Sequence, residues 1–251
     1  MLNLESVERP DPAYIRSMFD RMARRYDAFT FWMSFGGASA MRSEALKNLR
    51  PGDRVLDVAC GTGDLALEAA RRTGAEGRVV GLDFSSGMIE VAKLRQARIT
   101  KTYGQDARQH AGGLARLDWV CRGAETLPIE GEKFDWVVSG FALRGLYEHI
   151  DPILDGILRS LDDGGHIALL DLTEPRHPVL KWLYKTFFYS WVALLGAMLF
   201  GKDYPVTYLP DSSSRFLKAT EFVEKLKSKG FRDVTARSFI LGSVTLYRAK
   251  K

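Results

Sequence analysis

A chain of 251 residues is long enough for one large α/β domain with a proper core, and two full domains would be cramped. Its 46% hydrophobic and 27% charged composition excludes a disordered or fibrous protein. The formal charge of +5 permits contact with an anionic membrane or nucleic acid and demands neither, while two cysteines exclude a disulfide framework and a Cys-x-x-Cys metal pair.

Residues 1–12 are polar, with two prolines and no apolar leader, and read as a flexible arm of a cytoplasmic protein. From Tyr14 the apolar residues Ile15, Met18, Phe19, Met22, Ala23 and Tyr26 recur at helical spacing, with arginines elsewhere on the surface. A second apolar stretch, Phe29–Phe35, ends at Gly36-Gly37. Strands are then expected at Arg54–Ala59, Arg78–Asp83, Trp119–Arg122, Phe134–Phe141 and His166–Asp171. Helices are expected at Asp64–Arg72, Gly87–Lys101 and Asp151–Leu161. Asp151-Pro152 reads as N-cap plus first-turn proline, and Gly164-Gly165 as the stop. A helix near Thr220–Lys229 and two strands, Asp233–Ile240 and Ser243–Arg248, complete the chain.

Alternating strands and helices predict a single α/β domain, doubly wound, with a mostly parallel sheet. Residues 51–175 would form the cofactor-binding core. Residues 13–50 would form a helical acceptor or lid region, residues 176–217 an apolar helical insertion, and residues 218–251 the closing helix and two strands. Within the insertion, the uncharged run Thr186–Gly201 is 16 residues, short of the roughly 20 that span a bilayer. It is open to three readings: a buried helix that stabilises a homodimer, a substrate lid, or an interfacial helix.

The first expected strand runs directly into Cys60-Gly61-Thr62-Gly63-Asp64 and a helix. Glycines let the backbone approach a ligand closely, and open α/β sheets bind ligands beyond the carboxyl ends of their strands. Gly61, Gly63 and Ala66 with a later acid also fit a dinucleotide site, whose pyrophosphate would rest on the helix N-terminus. Asp64 would repel that pyrophosphate. S-adenosylmethionine carries a sulfonium and an ammonium but no phosphate, so acidic residues favour it. Asp57 suits its methionine end, and Asp83, followed by Phe84, suits the ribose. The later loop Arg122–Pro128, with Gly123, Ala124 and Glu125, is placed for the adenine edge, and Gly140, near the end of the expected fourth strand, is a further cofactor candidate. No metal is expected.

Several segments are more specific: Met18-Phe-Asp-Arg-Met-Ala-Arg-Arg-Tyr-Asp27, Gly123–Pro128, Phe141-Ala-Leu-Arg144 and Tyr208–Phe216. Together with the 57–64 loop they resemble, over nearly the whole chain and in order, the UbiE/MenG family of ubiquinone/menaquinone biosynthesis C-methyltransferases. The resemblance implies a class I methyltransferase fold with a seven-stranded sheet whose last strand is antiparallel. It implies methylation of a ring carbon on a polyprenylated quinol. It carries Thr62, Asp83, Gly123 and Ala124 over as cofactor positions, Arg144 as the family's arginine after strand four, and Tyr26 as its tyrosine before the aspartate. This chain has Gly140, Gly145 and Thr30-Phe31 where the family usually has Ser, Asn and Asn-Asp, all on the acceptor side.

Carbon methylation needs an electron-rich ring carbon aligned behind the sulfonium methyl, and a fixed cation can stabilise the oxyanion formed on the ring. Arg144 is the candidate for that role, with a structural ion pair as its competing one. Tyr26 is a candidate to position the acceptor hydroxyl, and His149 a candidate base. His110, His166 and His177 have no motif support. Burying one five-carbon prenyl unit contributes on the order of 4 kcal/mol, against about 1 kcal/mol per surface lysine at an anionic membrane, so an apolar groove would govern affinity. Nucleic acid is excluded as a partner by the absence of any basic–aromatic cluster. A methyltransferase for another small molecule or lipid, and a silent cofactor-binding partner in quinone synthesis, stay open at this level.

Overall fold

The computed structural model describes residues 11–105, 113–201, 204 and 216–251. Runs of apolar residues in the inner strands build a central sheet buried on both faces, with the edge strand Arg232–Phe239 largely exposed. The strands are β1 (Arg54–Val58), β2 (Arg78–Asp83), β3 (Arg116–Cys121), β4 (Phe134–Gly140), β5 (Leu161–Leu172), β6 (Arg232–Phe239) and β7 (Val244–Lys250). Their order is β3-β2-β1-β4-β5-β7-β6, with β7 antiparallel to both neighbours. The order reverses between β1 and β4, and that switch point opens the crevice in which open α/β sheets bind ligands.

One face of the sheet presents Val55, Val79, Val138 and Leu170 to α1 (Pro12–Met33), α2 (Gly37–Ala45) and α3 (Asp64–Thr73). The alternate residues Leu56, Val80, Val137 and Leu169 face α5 (Ile150–Ser160) and α8 (Ala219–Ser228). The remaining helices are α4 (Ser86–Gln105), α6 (Pro178–Phe187) and α7 (Ala193–Phe200), the last two joined by a π-helical turn at Phe188–Val192.

The main departures from the sequence expectation lie at element boundaries. The arm does not extend to residue 12: Pro12 opens α1, and the Asp11 side chain accepts a hydrogen bond from the Ala13 amide. Phe29–Phe35 is no separate stretch, since α1 runs on to Met33 because Met18, Met22 and Phe29 all bury on one face. The N-cap of α5 is His149, so Asp151-Pro152 lies inside its first turn. Gly164-Gly165 does not stop α5, which ends at Ser160. It forms instead a bulge within β5, where pairing with β4 jumps from Leu161 opposite Phe134 to His166 opposite Trp136. Gly164, at φ +78°, supplies the left-handed residue of that bulge.

The apolar segment is also longer than its uncharged run. Helix continues from Pro178 to Phe200, 23 residues with an 18-residue window of mean hydropathy 1.3, and by length and composition alone this could cross a membrane. Its Tyr184, Phe188, Val192 and Leu195 are buried in the same cluster as α1, whereas Trp182, Tyr189, Leu194 and Met198 are more than half exposed. The Tyr208–Phe216 motif falls outside the described residues apart from Phe216, and His110 falls outside them entirely.

Candidate active site

The turn from β1 into α3 builds the centre of the site. Ala59 (φ +55°), Gly61 (φ +55°) and Gly63 (φ +87°) all adopt left-handed conformations. A Cβ on Gly63 would lie 2.6 Å from the Trp119 ring, so glycine is needed there for space as well as dihedral. Asp57, 1% exposed at the end of β1, accepts a hydrogen bond from the Ala66 amide through Oδ2 (3.0 Å). Its Oδ1 is buried with no partner among the described residues. Burial pushes the Asp57 carboxyl well above the usual carboxylate range, with nearby Asp83 and Asp64 adding to the shift and the Ala66 amide and Arg42 opposing it. An orphaned carboxylate oxygen of this kind fits the ammonium of an amino-acid moiety, which would restore both charge balance and hydrogen bonding.

Asp83, at the end of β2, accepts from the Gly61 amide (2.8 Å) and the Ser85 amide (2.9 Å), and burial raises its pKa as well. It thereby holds the glycine loop to the next strand and retains lone pairs for a ribose. Phe84 meets Phe19 edge-on at 5.8 Å. Gly123 and Ala124 lead from β3 into a short turn, where a Cβ on Gly123 would strike the Glu125 carboxylate. Gly140 ends β4, and a Cβ there would meet Leu65 at 2.8 Å. Nine of the ten expected cofactor positions line one crevice at the carboxyl ends of β1, β2, β3 and β4, namely Asp57, Gly61, Thr62, Asp83, Phe84, Gly123, Ala124, Glu125 and Gly140, and the tenth, Gly63, shapes the loop behind them.

Asp64 carries less of the electrostatic argument than its place in the sequence suggests. Arg42 (2.7 Å) and Arg95 (2.6 Å) both pair with it, so it presents little net charge to a ligand. The acidic character that favours a cation rests on Asp57.

Two residues with no sequence-level role, Asp20 and Asp27, hold α1 over the loop. Asp20 accepts from the Ser85 hydroxyl (2.6 Å) and the Gly87 amide (2.8 Å) at the start of α4. Asp27 accepts from the Thr62 hydroxyl (2.5 Å) and pairs with Arg95 (3.1 Å). Seven residues apart, they share one helix face, and that spacing is the signal that could have found them.

Arg144 is buried just beyond β4. Its amide (2.8 Å) and guanidinium (2.7 Å) both donate to Asp171 of β5, which is fully buried, and the guanidinium also donates to the Phe141 carbonyl. The arginine is thus held in an ion pair, and it also forms part of the cavity wall. Tyr26 lies on that wall too, edge-on to Phe19. His149 lines the outer part and is exposed, whereas His166 stacks on Trp136 toward the opposite end of the sheet. The cavity encloses about 1350 Å³, more than the roughly 300–1,000 Å³ of a single-ligand site, and is mainly apolar beyond the cofactor loop. Among the described residues no cluster of three or more His, Cys, Asp or Glu side chains could hold a metal ion.

The signature of the ubiE/COQ5 methyltransferase family matches residues 7–251. The ubiquinone/menaquinone biosynthesis C-methyltransferase UbiE of Geobacter sulfurreducens is 34% identical over 239 residues, covering 94% of this chain and 88% of that protein. The demethylmenaquinone methyltransferase of Lactobacillus johnsonii is 31% identical, covering 93% and 91%. Among solved structures, magnesium protoporphyrin IX methyltransferase from Synechocystis, with bound SAH, superposes with a TM-score of 0.60 at 19% identity, covering 96% of this chain and all of that one.

Proposed function

The chain belongs to the ubiE/COQ5 methyltransferase family, and from that premise we propose that it methylates a ring carbon of a prenylated quinol, using S-adenosylmethionine as donor. The observation that carries this reading is one continuous cavity with the acidic glycine loop at one side and Arg144 in a mainly apolar wall. S-adenosylmethionine, when bound, supplies an electrophilic methyl group on a sulfonium. Asp57 would take its ammonium, Asp83 its ribose, and Gly123 and Ala124 its adenine edge.

The acceptor side follows from charge and burial. Loss of a quinol hydroxyl proton places negative charge on oxygen and enriches the adjacent ring carbon. That carbon uses its own electron pair to form the new carbon–carbon bond, the sulfur keeps the pair of the bond that breaks, and the ring proton leaves to solvent. Arg144, held rigid by Asp171, stabilises the ring oxyanion in a dry site where such a contact is worth far more than in water. Tyr26 positions the same ring, and Phe187, Phe188 and Leu183 offer the prenyl tail an apolar path.

The exposed apolar side chains of α6 and α7, together with Phe31, Trp32 and Phe35 at the end of α1, form the surface that would rest on a bilayer. The ring contacts of Phe35 with Phe187 and Trp191 join these two elements into one patch. An interfacial helix of this kind lies in the membrane plane with one face still packed on protein.

The deciding assay follows label from donor to demethylmenaquinol and to a benzoquinol precursor. A single Arg144 variant would strand Asp171 as an unpaired buried charge, so the double variant Arg144→Gln/Asp171→Asn is the cleaner probe. Its kcat should fall by roughly 10²–10³-fold with the fold intact, as for loss of an oxyanion donor. Unchanged kcat would remove Arg144 from the mechanism, and no labelled quinol with the wild-type protein would overturn the function.

A further inference from the structure

Tyr204 stands in the cavity wall with a hydroxyl that has no hydrogen-bond partner among the described residues, although the residue is only 7% exposed. A buried hydroxyl left unmatched loses its hydrogen bonds to water with nothing in return, so its retention calls for a ligand. The ring itself is firmly seated. It packs against Gly196 of α7, where any Cβ would strike the ring, and its centroid lies 5.5 Å from Phe29 and 6.0 Å from Phe200, stacked on the latter. Such packing fixes where the hydroxyl sits. Tyr26 and Arg144, the two polar side chains assigned to the acceptor, lie within electrostatic reach of it.

We propose that the Tyr204 hydroxyl donates a hydrogen bond to the same ring oxygen of the acceptor that Arg144 stabilises, making a two-donor pocket for the developing oxyanion. The inference rests on the quinol reading above and names a residue that the sequence motifs do not reach. Burial pushes the Tyr204 phenol well above its ordinary range, Tyr26 adds to the shift and Arg144 opposes it, so the group stays protonated and able to donate throughout the neutral range. A neutral donor in the same cavity wall as a guanidinium suits an oxygen that is neutral on arrival and charged only as the proton leaves.

Tyr204→Phe tests this, since it keeps the ring in its seat and removes only the hydroxyl. With prenylated demethylmenaquinol in detergent as acceptor, kcat/KM should fall tenfold or more, while the Kd for S-adenosylhomocysteine stays within twofold. The melting temperature should hold or rise, because an unmatched buried hydroxyl has gone. A smaller fall in kcat/KM overturns the proposal, as does a fall accompanied by lower stability or weaker S-adenosylhomocysteine binding. Absence of quinol turnover by the wild-type protein instead overturns the function on which the proposal rests.

Discussion

Asp57 sets a stability–function conflict at a single carboxyl. Its raised pKa means that the ligand-free fold favours the protonated acid. The stabilisation linked to that proton is present at acid pH and lost as pH rises through the raised value. Asp57→Asn should therefore raise the melting temperature of the ligand-free protein near neutral pH more than at pH 4, by roughly 2–4 °C for each kcal/mol recovered. The same change should weaken donor binding by about ten- to a hundredfold, the worth of a charge-assisted hydrogen bond, measured by calorimetry. Equal affinity in the variant would remove Asp57 from the donor site. The site was legible in the sequence to this depth because glycine and carboxylate at the end of a strand carry their chemistry with them. Asp171 and Tyr204 were not, because the one matters through a partner 27 residues away and the other through an unmatched hydroxyl, and neither leaves a local pattern.

Among elements, α1 does more than its amphipathic stripe foretells. Apolar periodicity locates the helix, but its position over the donor loop comes from Asp20 and Asp27, whose partners lie 35 or more residues away. Asp20→Ala/Asp27→Ala should loosen α1 without emptying the core. Amide exchange in α1 should accelerate while that of β1 and β4 is unchanged, and donor affinity should drop by roughly tenfold. Unchanged exchange in α1 would show that apolar packing alone holds it. The strands were easier to find than their limits. Buried parallel strands read as runs of Val, Leu and Ile, whereas the start of β5 hides in Leu161-Asp-Asp-Gly-Gly165, a stretch that looks like a helix stop until its pairing with Phe134 is seen.

At the scale of the whole molecule, the doubly wound, mostly parallel architecture followed from strand–helix alternation, but the strand order with its switch point and the facing of the apolar helix did not. Sequence alone left Val179–Gly201 between core, lid and interface, and helical packing gives it two apolar faces, one against α1 and one outward. On the proposed membrane reading the wild-type protein should co-sediment with anionic lipid vesicles, and Trp32→Glu/Trp182→Glu/Met198→Glu should abolish this while leaving melting temperature within a few degrees. Co-sedimentation that survives the triple change would assign membrane contact elsewhere. Helix α1 links this patch to the chemistry. At 22 residues it is a rod of about 33 Å, bearing Asp20 and Asp27 along its length and Phe31 and Trp32 at its end. On the proposed membrane reading, a bilayer gripping the tip would exert leverage on the donor loop through a stiff shaft. Vesicles should thus change the turnover of a tail-free, water-soluble quinol, for which the membrane offers no concentrating effect, and that acceleration or braking should vanish when Asp20 and Asp27 no longer couple the shaft to the loop.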